Sequence, residues 1–394
     1  MEYKPLGSMV NRKIGYGIVQ PGQSVPDGVP VIKVNNLISG LKSPSELDTT
    51  ARENEAKYSR TRLHGGELIV SVVGTIGKTA IVPKSFAGCN LVRATALIDI
   101  EDELMSKWVK YYFDSPCGQS YIEQNLNTTV QPTLNIKSLV EMPIPIRDTT
   151  EMEKTVLLLS ALDEKIEVNR QINDNLEQQA QAIYHERFET VSPNDLPSEW
   201  RIVTLGEVAT ISNKSFNPLK EPEILLEHYS IPAFDEARFP VFELSTSIKS
   251  NKFIIDASCF MISKLNPTTK RVWKPYCLTG NAVCSTEFIV YKAKDKTITD
   301  FLYSVIDSNS FSDFMCSHVT GSTGSRQRTT PSDTLSYELI LPSEDELAEF
   351  QSLVSPMYAQ IRINAIENDR LKRLRDSLLP KLMSAEIDVS DVQL

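Results

Sequence analysis

The sequence contains a long stretch without glycine or proline, and its side chains repeat at a spacing that favours one helix. Neither residue type occurs between Pro145 and Pro193, although both are frequent before that stretch. A seam of apolar and amide side chains advances through it in alternating steps of three and four, the heptad pattern of a paired helix. The pattern predicts a helix over residues 150–188 that needs a partner helix. The seam residues are Leu159, Leu162, Ile166, Asn169, Asn173 and Leu176.

The same pattern returns 195 residues further along the chain, where Ile166–Leu176 recurs as Ile361–Leu371 with both seam asparagines in place. Pro356 falls inside this second copy. We expect one helix to end near Val354 and another to begin with Ser355 as its cap, because proline suits the first turn of a helix. The seam residues of the second copy are Met357, Ile361, Asn364, Asn368, Leu371 and Leu378.

The segments that precede the two helices repeat more weakly. Each holds two predicted strands around a turn (67–82 and 259–273), then one helix rich in aromatic side chains (107–125 and 299–316) and a polar loop. The sequence therefore predicts an α+β protein in which two α/β domains alternate with two long helices. The predicted bounds are 1–148 for the first domain, 149–190 for the central helix, 191–342 for the second domain and 343–394 for the C-terminal helix.

Chain order restricts how the two helices can pair. A helix of about 37 residues is about 55 Å long, and the second helix begins after the second domain, so it must run back antiparallel to the first. Asn169 and Asn173 would then face Asn368 and Asn364 and fix the register of an antiparallel coiled coil. The alternative is a solvated hairpin that merely tolerates these amides. The internal repeat predicts a pseudo-two-fold relation between the halves, which suits a ligand with two-fold symmetry such as duplex DNA.

Two segments resemble the specificity subunits of Type I restriction–modification enzymes. They are the central segment from Leu158 to Tyr184 (LLSALDEKIEVNRQINDNLEQQAQAIY) and the ending from Leu374 to Val389 (LRDSLLPKLMSAEIDV). The resemblance implies that domains 1–148 and 191–342 are target-recognition domains, each reading one half of a bipartite site in double-stranded DNA. Ala385 departs from the family's pattern, because a glycine is usual there before Glu-Ile-Asp.

The resemblance also implies the partners of the chain. The helices would set the spacing of the half-sites and dock two modification (methyltransferase) subunits, and restriction (endonuclease/translocase) subunits would then join the complex. The chain itself would be non-catalytic and would need no cofactor. No base-reading residue transfers by position, because the recognition domains of the family vary too much.

Polar loops at equivalent places in the two halves are the candidate DNA-binding elements. Arginine pairs with guanine and glutamine or asparagine with adenine, whereas Ser, Thr and Lys suit phosphates. The alternative is that these are ordinary capping loops. The candidates are Lys78, Thr128, Thr129, Gln131, Thr133 and Asn135 in the first half, and Lys270, Arg271, Ser325, Arg326, Gln327 and Arg328 in the second.

The sequence carries no convincing catalytic motif. Gly74–Thr79 resembles the end of a phosphate-binding loop, but that motif requires a glycine at position 72, which is Val, and a helix after the lysine, where a strand-like run follows. The six cysteines form no CxxC pair and have no histidine neighbours, so we expect reduced thiols and no metal site. Without a membrane-length apolar run or a signal segment, we expect a cytoplasmic chain.

The net charge of −10 argues at first against a nucleic-acid binder. However, residues 1–150 carry 16 basic and 15 acidic side chains, whereas the two helical segments 151–190 and 343–394 carry net charges of −5 and −4. The acidity therefore lies in the helices, and the domains are close to neutral. DNA recognition stays the favoured interpretation, and the alternative is a coiled-coil adaptor that binds no DNA.

Overall fold

The computed structural model describes residues 2–41, 43–127, 132–192, 194–320 and 327–389. The chain divides into two compact units, one formed by residues 1–165 with 370–394 and the other by residues 166–369. Each unit combines short strands and helices with part of two long helices. The predicted α+β class with long paired helices is confirmed.

The strands of the first unit come from residues 2–146. They are β1 (Glu2–Pro5), β2 (Arg12–Tyr16), β3 (Val29–Ile32), β4 (Thr49–Thr50), β5 (Leu68–Ser71), β6 (Thr79–Ile81), β7 (Asn90–Leu91), β8 (Thr95–Asp99), β9 (Leu126–Asn127), β10 (Thr133–Leu134) and β11 (Pro143–Ile146).

The helices of this unit lie between those strands, except for the first long helix, which follows them, and for the end of a second long helix near the C-terminus. They are α1 (Val34–Ser39), α2 (Arg52–Ala56), α3 (Glu103–Asp114), α4 (Pro116–Gln124), α5 (Ile136–Glu141) and the first part of α6 (Thr149–Tyr184).

An antiparallel sheet in the order β2-β8-β5-β6 forms the centre of the first unit. Beside it β3 pairs in parallel with β7, and β1 pairs with β11, so that the two ends of the domain lie together. In the core of this unit, aromatic residues of α3 such as Trp108 pack in one cluster with Val156 and Leu159 of α6 and with Leu382 near the C-terminus. The indole of Trp108 also donates to the carbonyl of Pro145 (2.7 Å). Burial of this apolar surface holds the sheet against the ends of the long helices.

The second unit repeats many of these parts. Its strands are β12 (Arg201–Thr204), β13 (Ala209–Ile211), β14 (Ser215–Phe216), β15 (Leu225–Tyr229), β16 (Val241–Leu244), β17 (Lys252–Ile254), β18 (Cys259–Ser263), β19 (Val272–Trp273), β20 (Ala282–Ser285), β21 (Phe288–Ala293), β22 (Val319–Thr320), β23 (Arg328–Thr329) and β24 (Glu338–Leu341).

Besides the rest of α6, the second unit contains helices that lie between its strands or follow them. They are α7 (Leu205–Val208), α8 (Ile231–Ala237), α9 (Thr299–Ile306), α10 (Asn309–Ser317) and most of α11 (Glu344–Ser384), whose last residues belong to the first unit.

The sheets of the second unit correspond to those of the first. The order β13-β21-β18-β19 matches β2-β8-β5-β6, the antiparallel pair β12 and β24 matches β1 and β11, and β15 pairs in parallel with β20. The core contains an aromatic cluster in which Phe188 meets Phe301 (5.4 Å between ring centroids) and Phe350 (5.2 Å). The internal repeat seen in the sequence is thus a repeat of structure.

The prediction of one aromatic-rich helix in each half is wrong in one respect, because each half has two shorter helices in its place. The first half has α3 and α4 where the prediction placed one helix over 107–125, and the second has α9 and α10 where it placed one over 299–316. Ser115 and Ser308 cause the breaks, because their hydroxyls accept from the backbone N–H of Gly118 (3.2 Å) and Phe311 (3.1 Å) as N-caps of new helices. A side chain at Gly118 would lie about 2.0 Å from the carbonyl oxygen of Tyr112, so the corner requires glycine.

The first long helix begins close to its predicted start. The carboxylate of Asp148 accepts from the backbone N–H of Thr150 (2.9 Å) and caps α6. After Tyr184 the chain continues through a π-helical turn, His185–Glu189, which carries the buried Phe188 into the aromatic cluster. The predicted helix is therefore present, with a different kind of final turn.

The predicted interruption at Pro356 is wrong, because α11 runs without a break from Glu344 to Ser384. Proline removes one N–H donor from a helix interior and would normally break or kink the helix. Phe350, Val354 and Tyr358 flank the proline at a spacing of four and are all buried in the core of the second unit. Their packing on both sides of Pro356 outweighs the lost hydrogen bond.

No helix among the described residues is long and apolar enough to cross a membrane. No group of three or more His, Cys, Asp or Glu side chains in the same residues is arranged to hold a metal ion.

Candidate nucleic-acid interface

The turn between β5 and β6 lies against the β9–β10 hairpin in the first unit. The backbone N–H of Leu134 donates to the carbonyl of Val72 (3.0 Å), and Val73 forms a bridge with Thr133. This contact brings the turn that carries Lys78 next to Thr133, one of the described residues of the predicted polar loop. The sequence proposed both loops separately, and their contact follows from the hairpin.

The turn itself is held by the hydroxyl of Ser71. It donates to the carbonyl of Thr75 (2.6 Å) and accepts from the backbone N–H of Lys78 (2.8 Å). Gly74 and Gly77 have φ angles of +80° and +82°, which glycine adopts at no steric cost. Lys78 is exposed at the end of this turn and is followed by strand β6, so it lacks the helix N-terminus that a phosphate-binding loop requires.

Of the other candidates of the first half, two lie in the described part of the chain. Thr133 lies on β10 next to the turn, and the half-buried Asn135 precedes α5. Thr128, Thr129 and Gln131 lie outside the described residues.

Arg93 belongs to the same face but was not predicted. It lies on the loop between β7 and β8, where the neighbouring Ala94 accepts at its carbonyl from the N–H of Val72 (2.8 Å). Arg93 is exposed, and no described carboxylate lies within ion-pair distance of either Arg93 or Lys78. The first unit therefore presents two unneutralised cations beside its turn. Nothing in the local sequence of Arg93 distinguishes it as a candidate.

The second unit builds the same face from different residues. The turn after β18 contacts the β22–β23 hairpin through a bridge between Leu265 and Arg328 and through the N–H of Asn266, which donates to the carbonyl of Gln327 (2.9 Å). The carbonyl of Glu287 accepts from the N–H of Lys264 (2.9 Å). In the first unit the carbonyl of Ala94 accepts from the N–H of Val72 in the same way. In both units a hairpin turn, a second hairpin and a third loop thus converge.

The predicted cations Lys270, Arg271 and Arg328 differ from Lys78 and Arg93 because they are paired with carboxylates. Arg328 makes two hydrogen bonds to Glu287, both 3.0 Å, and this partner raises the pKa of its guanidinium, which stays charged. Arg271 makes two hydrogen bonds to Asp235 (2.5 and 2.9 Å). The ammonium of Lys270 contacts both the carboxylate (3.1 Å) and the carbonyl of Asp307 (2.7 Å).

These pairs divide the second-half candidates. Arg271 and Lys270 fix the turn to neighbouring elements, whereas the side chain of Arg328 is 43% exposed and remains available on the outside. Gln327 is half-buried next to it. Ser325 and Arg326 lie outside the described residues.

The helix seam brings the asparagines together inside the second unit. Asn169 Nδ2 donates to Asn368 Oδ1 (2.9 Å), and Asn364 Nδ2 donates to Asn173 Oδ1 (2.8 Å). Residue numbers rise along one helix as they fall along the other, so α6 and α11 are antiparallel here. Asn169 and Asn364 are buried, and each amide therefore needs the partner that it has.

The apolar members of the seam are buried or half-buried. Leu159 and Ile166 are buried. The half-buried members are Leu162, Leu176, Met357, Ile361, Leu371 and Leu378.

In the first unit a charged cluster joins the same two helices. Asp163 of α6 accepts from Arg375 of α11 (2.7 Å) and from the hydroxyl of Tyr111 (2.9 Å), and Lys110 lies 3.6 Å away. Burial alone would raise the pKa of the Asp163 carboxyl, but Lys110 and Arg375 together hold it below its usual value. The cluster fixes α3 to the helix pair within this unit.

Comparisons with known proteins agree on one class. A model of the Type I restriction modification DNA specificity domain matches residues 2–178. Over those residues the chain is similar to the specificity domain of Type I restriction–modification enzymes.

Individual relatives are similar at moderate identity. The chain is 28% identical over 205 residues to the specificity subunit of the Type I restriction enzyme EcoBI of Escherichia coli, an alignment that covers 50% of this chain and 42% of that subunit. It therefore spans less than half of the length of that relative. The chain is 23% identical over 321 residues to the MjaIX specificity subunit of Methanocaldococcus jannaschii, covering 74% of this chain and 71% of that subunit.

A solved structure shares the fold. The crystal structure of a Type I restriction–modification S subunit from M. genitalium matches with a TM-score of 0.54 at 16% identity, covering 96% of this chain and 95% of that chain. At this identity the likeness concerns the fold alone.

Proposed function

We propose that the chain is the DNA-recognition subunit of a Type I restriction–modification complex. In this proposal the domains at 1–148 and 191–342 are target-recognition domains, and each reads one half of a bipartite site in double-stranded DNA. The observation that carries the proposal is the repeated face, because both units bring a hairpin turn, a second hairpin and a third loop together around basic and amide side chains. Such side chains are the ones that contact phosphates and base edges.

The two faces would read different sequences because their residues differ. Where the second unit has Arg328, the first has Thr133, as the equivalent bridges to Leu265 and Val73 indicate. Lys78 and Arg93 of the first unit suit phosphate contacts, since both are exposed and have no carboxylate partner among the described residues.

The helical segments at 149–190 and 343–394 would set the spacing between the two half-sites. The buried asparagine pairs support this role, because a slipped pairing of α6 and α11 would leave amides buried without partners. A ruler requires a single register, and these hydrogen bonds provide one.

The same helices would dock two modification subunits. Val168 and Ile363 occupy equivalent positions of the repeat, and they are 48% and 56% exposed on the two helices. Exposed apolar side chains at repeated positions suit a partner that binds twice. Restriction subunits would join through the assembled complex, and methylation and cleavage would belong to the partners rather than to this chain.

The proposal is tested by producing the chain together with its cognate modification subunits and sequencing the methylated bases of the host DNA. We expect a bipartite methylated motif with unread base pairs between its halves, absent when the modification subunits are produced alone. No such motif, with modification subunits that are active beside another specificity subunit, would contradict DNA recognition. A chain that still co-purifies with those subunits in that case would be an adaptor.

A further inference from the structure

Arg328 carries a guanidinium whose position is fixed from two directions. Its Nε and Nη2 donate to Oε2 and Oε1 of Glu287, each at 3.0 Å, and its backbone carbonyl accepts from the hydroxyl of Thr320 (3.1 Å). Strand β23, on which it lies, is bridged to Leu265. The side chain therefore has little freedom to rotate, although it is 43% exposed.

Glu287 is itself held by the fold. Its N–H donates to the hydroxyl of Ser285 (3.2 Å) and its carbonyl accepts from the N–H of Lys264 (2.9 Å). Its carboxylate is 28% exposed and faces the guanidinium in a bidentate arrangement. The planar guanidinium of Arg328 is therefore preorganised, since the arginine side chain has already lost its rotamer entropy before a ligand binds.

The pairing leaves one edge of the guanidinium free. Of the five N–H groups of arginine, Glu287 takes one on Nε and one on Nη2. The remaining edge presents one N–H of Nη1 and one of Nη2 side by side, and no acceptor in the described part of the chain binds Nη1. Two parallel donors match the O6 and N7 acceptors of guanine in the major groove, whereas adenine offers one acceptor and one donor.

We propose that the Glu287–Arg328 pair is a preorganised guanine reader for the half-site that the second domain recognises, with Glu287 as the positioning residue. This inference rests on the proposed function, which does not itself say which base or which residue is involved. A phosphate contact is the poorer fit, because the carboxylate of Glu287 would repel the phosphate and cancels the charge of Arg328. In the first unit the equivalent positions are Ala94 and Thr133, so this device belongs to one half only.

The test uses the complex of the chain with its modification subunits and measures methylation rates on duplexes that differ by single base pairs. We expect the wild-type complex to prefer one G·C pair in one half of its site by about 5- to 150-fold, the range of a bidentate base contact. Arg328→Lys keeps the charge without the fork, and Glu287→Gln and Glu287→Ala keep the arginine without its carboxylate partner. Each variant should lose that preference at that one pair and leave preferences in the other half unchanged.

The matched control is Asp256→Asn. It removes the carboxylate partner of Lys292 near the other end of β21, about 16 Å along the strand from Glu287, and should leave every base preference unchanged. Thermal unfolding of each complex verifies that the variants fold.

Retained guanine preference in both Glu287 variants would overturn the positioning role. An equal loss of rate on every duplex with Arg328→Lys would show a phosphate contact instead, and a half-site without any specified G·C pair would overturn the inference outright. A wild-type complex that methylates without any sequence preference would instead defeat the proposed function.

Discussion

Individual polar side chains in this protein are held by partners far away in the sequence. Asp163 contacts Tyr111, 52 residues before it, and Arg375, 212 residues after it, and Arg328 meets Glu287 from a distance of 41 residues. The sequence predicted Arg328 as a candidate but could not show its pairing, because such contacts depend on how the strands are arranged. The same reason explains why the sequence did not indicate Arg93. It also explains why the sequence could not show that Lys270 and Arg271 are paired with Asp307 and Asp235.

Replacing Asp163 with Asn should destabilise the first unit by about 1 to 3 kcal/mol at pH 7, because Arg375 and Lys110 would lose their shared carboxylate. The pKa of Asp163 is lowered in the folded chain, so its contribution is complete above the unfolded-state pKa of about 4 and is lost as the pH falls through the lower folded-state value. Urea unfolding of both chains at pH 7 and in acid measures this. A stability difference that stays the same at both pH values would contradict the assignment.

Replacing Ala385 with Gly should stabilise the end of α11 by about 1 kcal/mol. Ala385 follows the last helical residue with φ = +63°, a left-handed conformation that costs a non-glycine residue about 1 to 2 kcal/mol. Ala161→Gly at an exposed interior position of α6 is the control and should destabilise by about 1 kcal/mol. The midpoints of urea unfolding separate the two, and equal destabilisation by both changes would rule out strain at Ala385.

At the scale of elements, the first long helix and the central hairpins could be predicted, whereas the short elements could not. The absence of Gly and Pro and the heptad spacing determine α6, and short apolar runs around a turn indicate β5, β6 and β18. The breaks between α3 and α4 and between α9 and α10 depend on single serine caps, with Pro116 after the first and Asn309 after the second. Two-residue strands such as β9 and β22 have no local signal, because they exist only through their partners.

The continuity of α11 through Pro356 shows that the rule against proline in a helix interior can predict a helix end where there is none. The rule counts one missing donor, and it does not include the buried side chains on either side of the proline. Tertiary packing decided the outcome, and this information is not local in the sequence.

The asparagine seam should behave as a coupled pair. Asn173→Leu or Asn364→Leu alone should destabilise the second unit by about 1 to 3 kcal/mol, because each leaves an amide at the seam without its partner. The double variant should recover most of that loss, since two apolar residues pack without an unsatisfied group. A double-mutant cycle from urea unfolding measures the coupling, with Asn175→Leu on the exposed helix surface as control. Additive losses in the double variant would contradict a specific amide pair.

At the scale of the whole molecule, charge is distributed by role. Nine of the ten net negative charges lie in the segments 151–190 and 343–394, and the proposed recognition domains are nearly neutral. We therefore expect the isolated chain to bind DNA weakly, because it can neutralise few phosphates, and its partners to supply much of the salt-sensitive affinity.

Insertions into the helices test whether they set the half-site spacing. Four helix-forming residues placed between Lys165 and Ile166 and four between Asp369 and Arg370 would lengthen each helix by about 6 Å, which corresponds to about one or two base pairs. The methylated motif should keep both halves and gain that many unread base pairs. The same insertion between Lys249 and Ser250 of an exposed loop should not change the spacer. A spacer of unchanged length in the helical variant would show that the helices are not the ruler.

The central claim is that each domain reads one half of the DNA site, and the most direct measurement is the genome-wide methylated motif of cells that carry the Arg328→Ala chain with its modification subunits. The account predicts that the specified bases of one half become degenerate, while the other half and the spacer stay as in the wild type. Equal loss of specificity in both halves would contradict the assignment of one half-site to each domain.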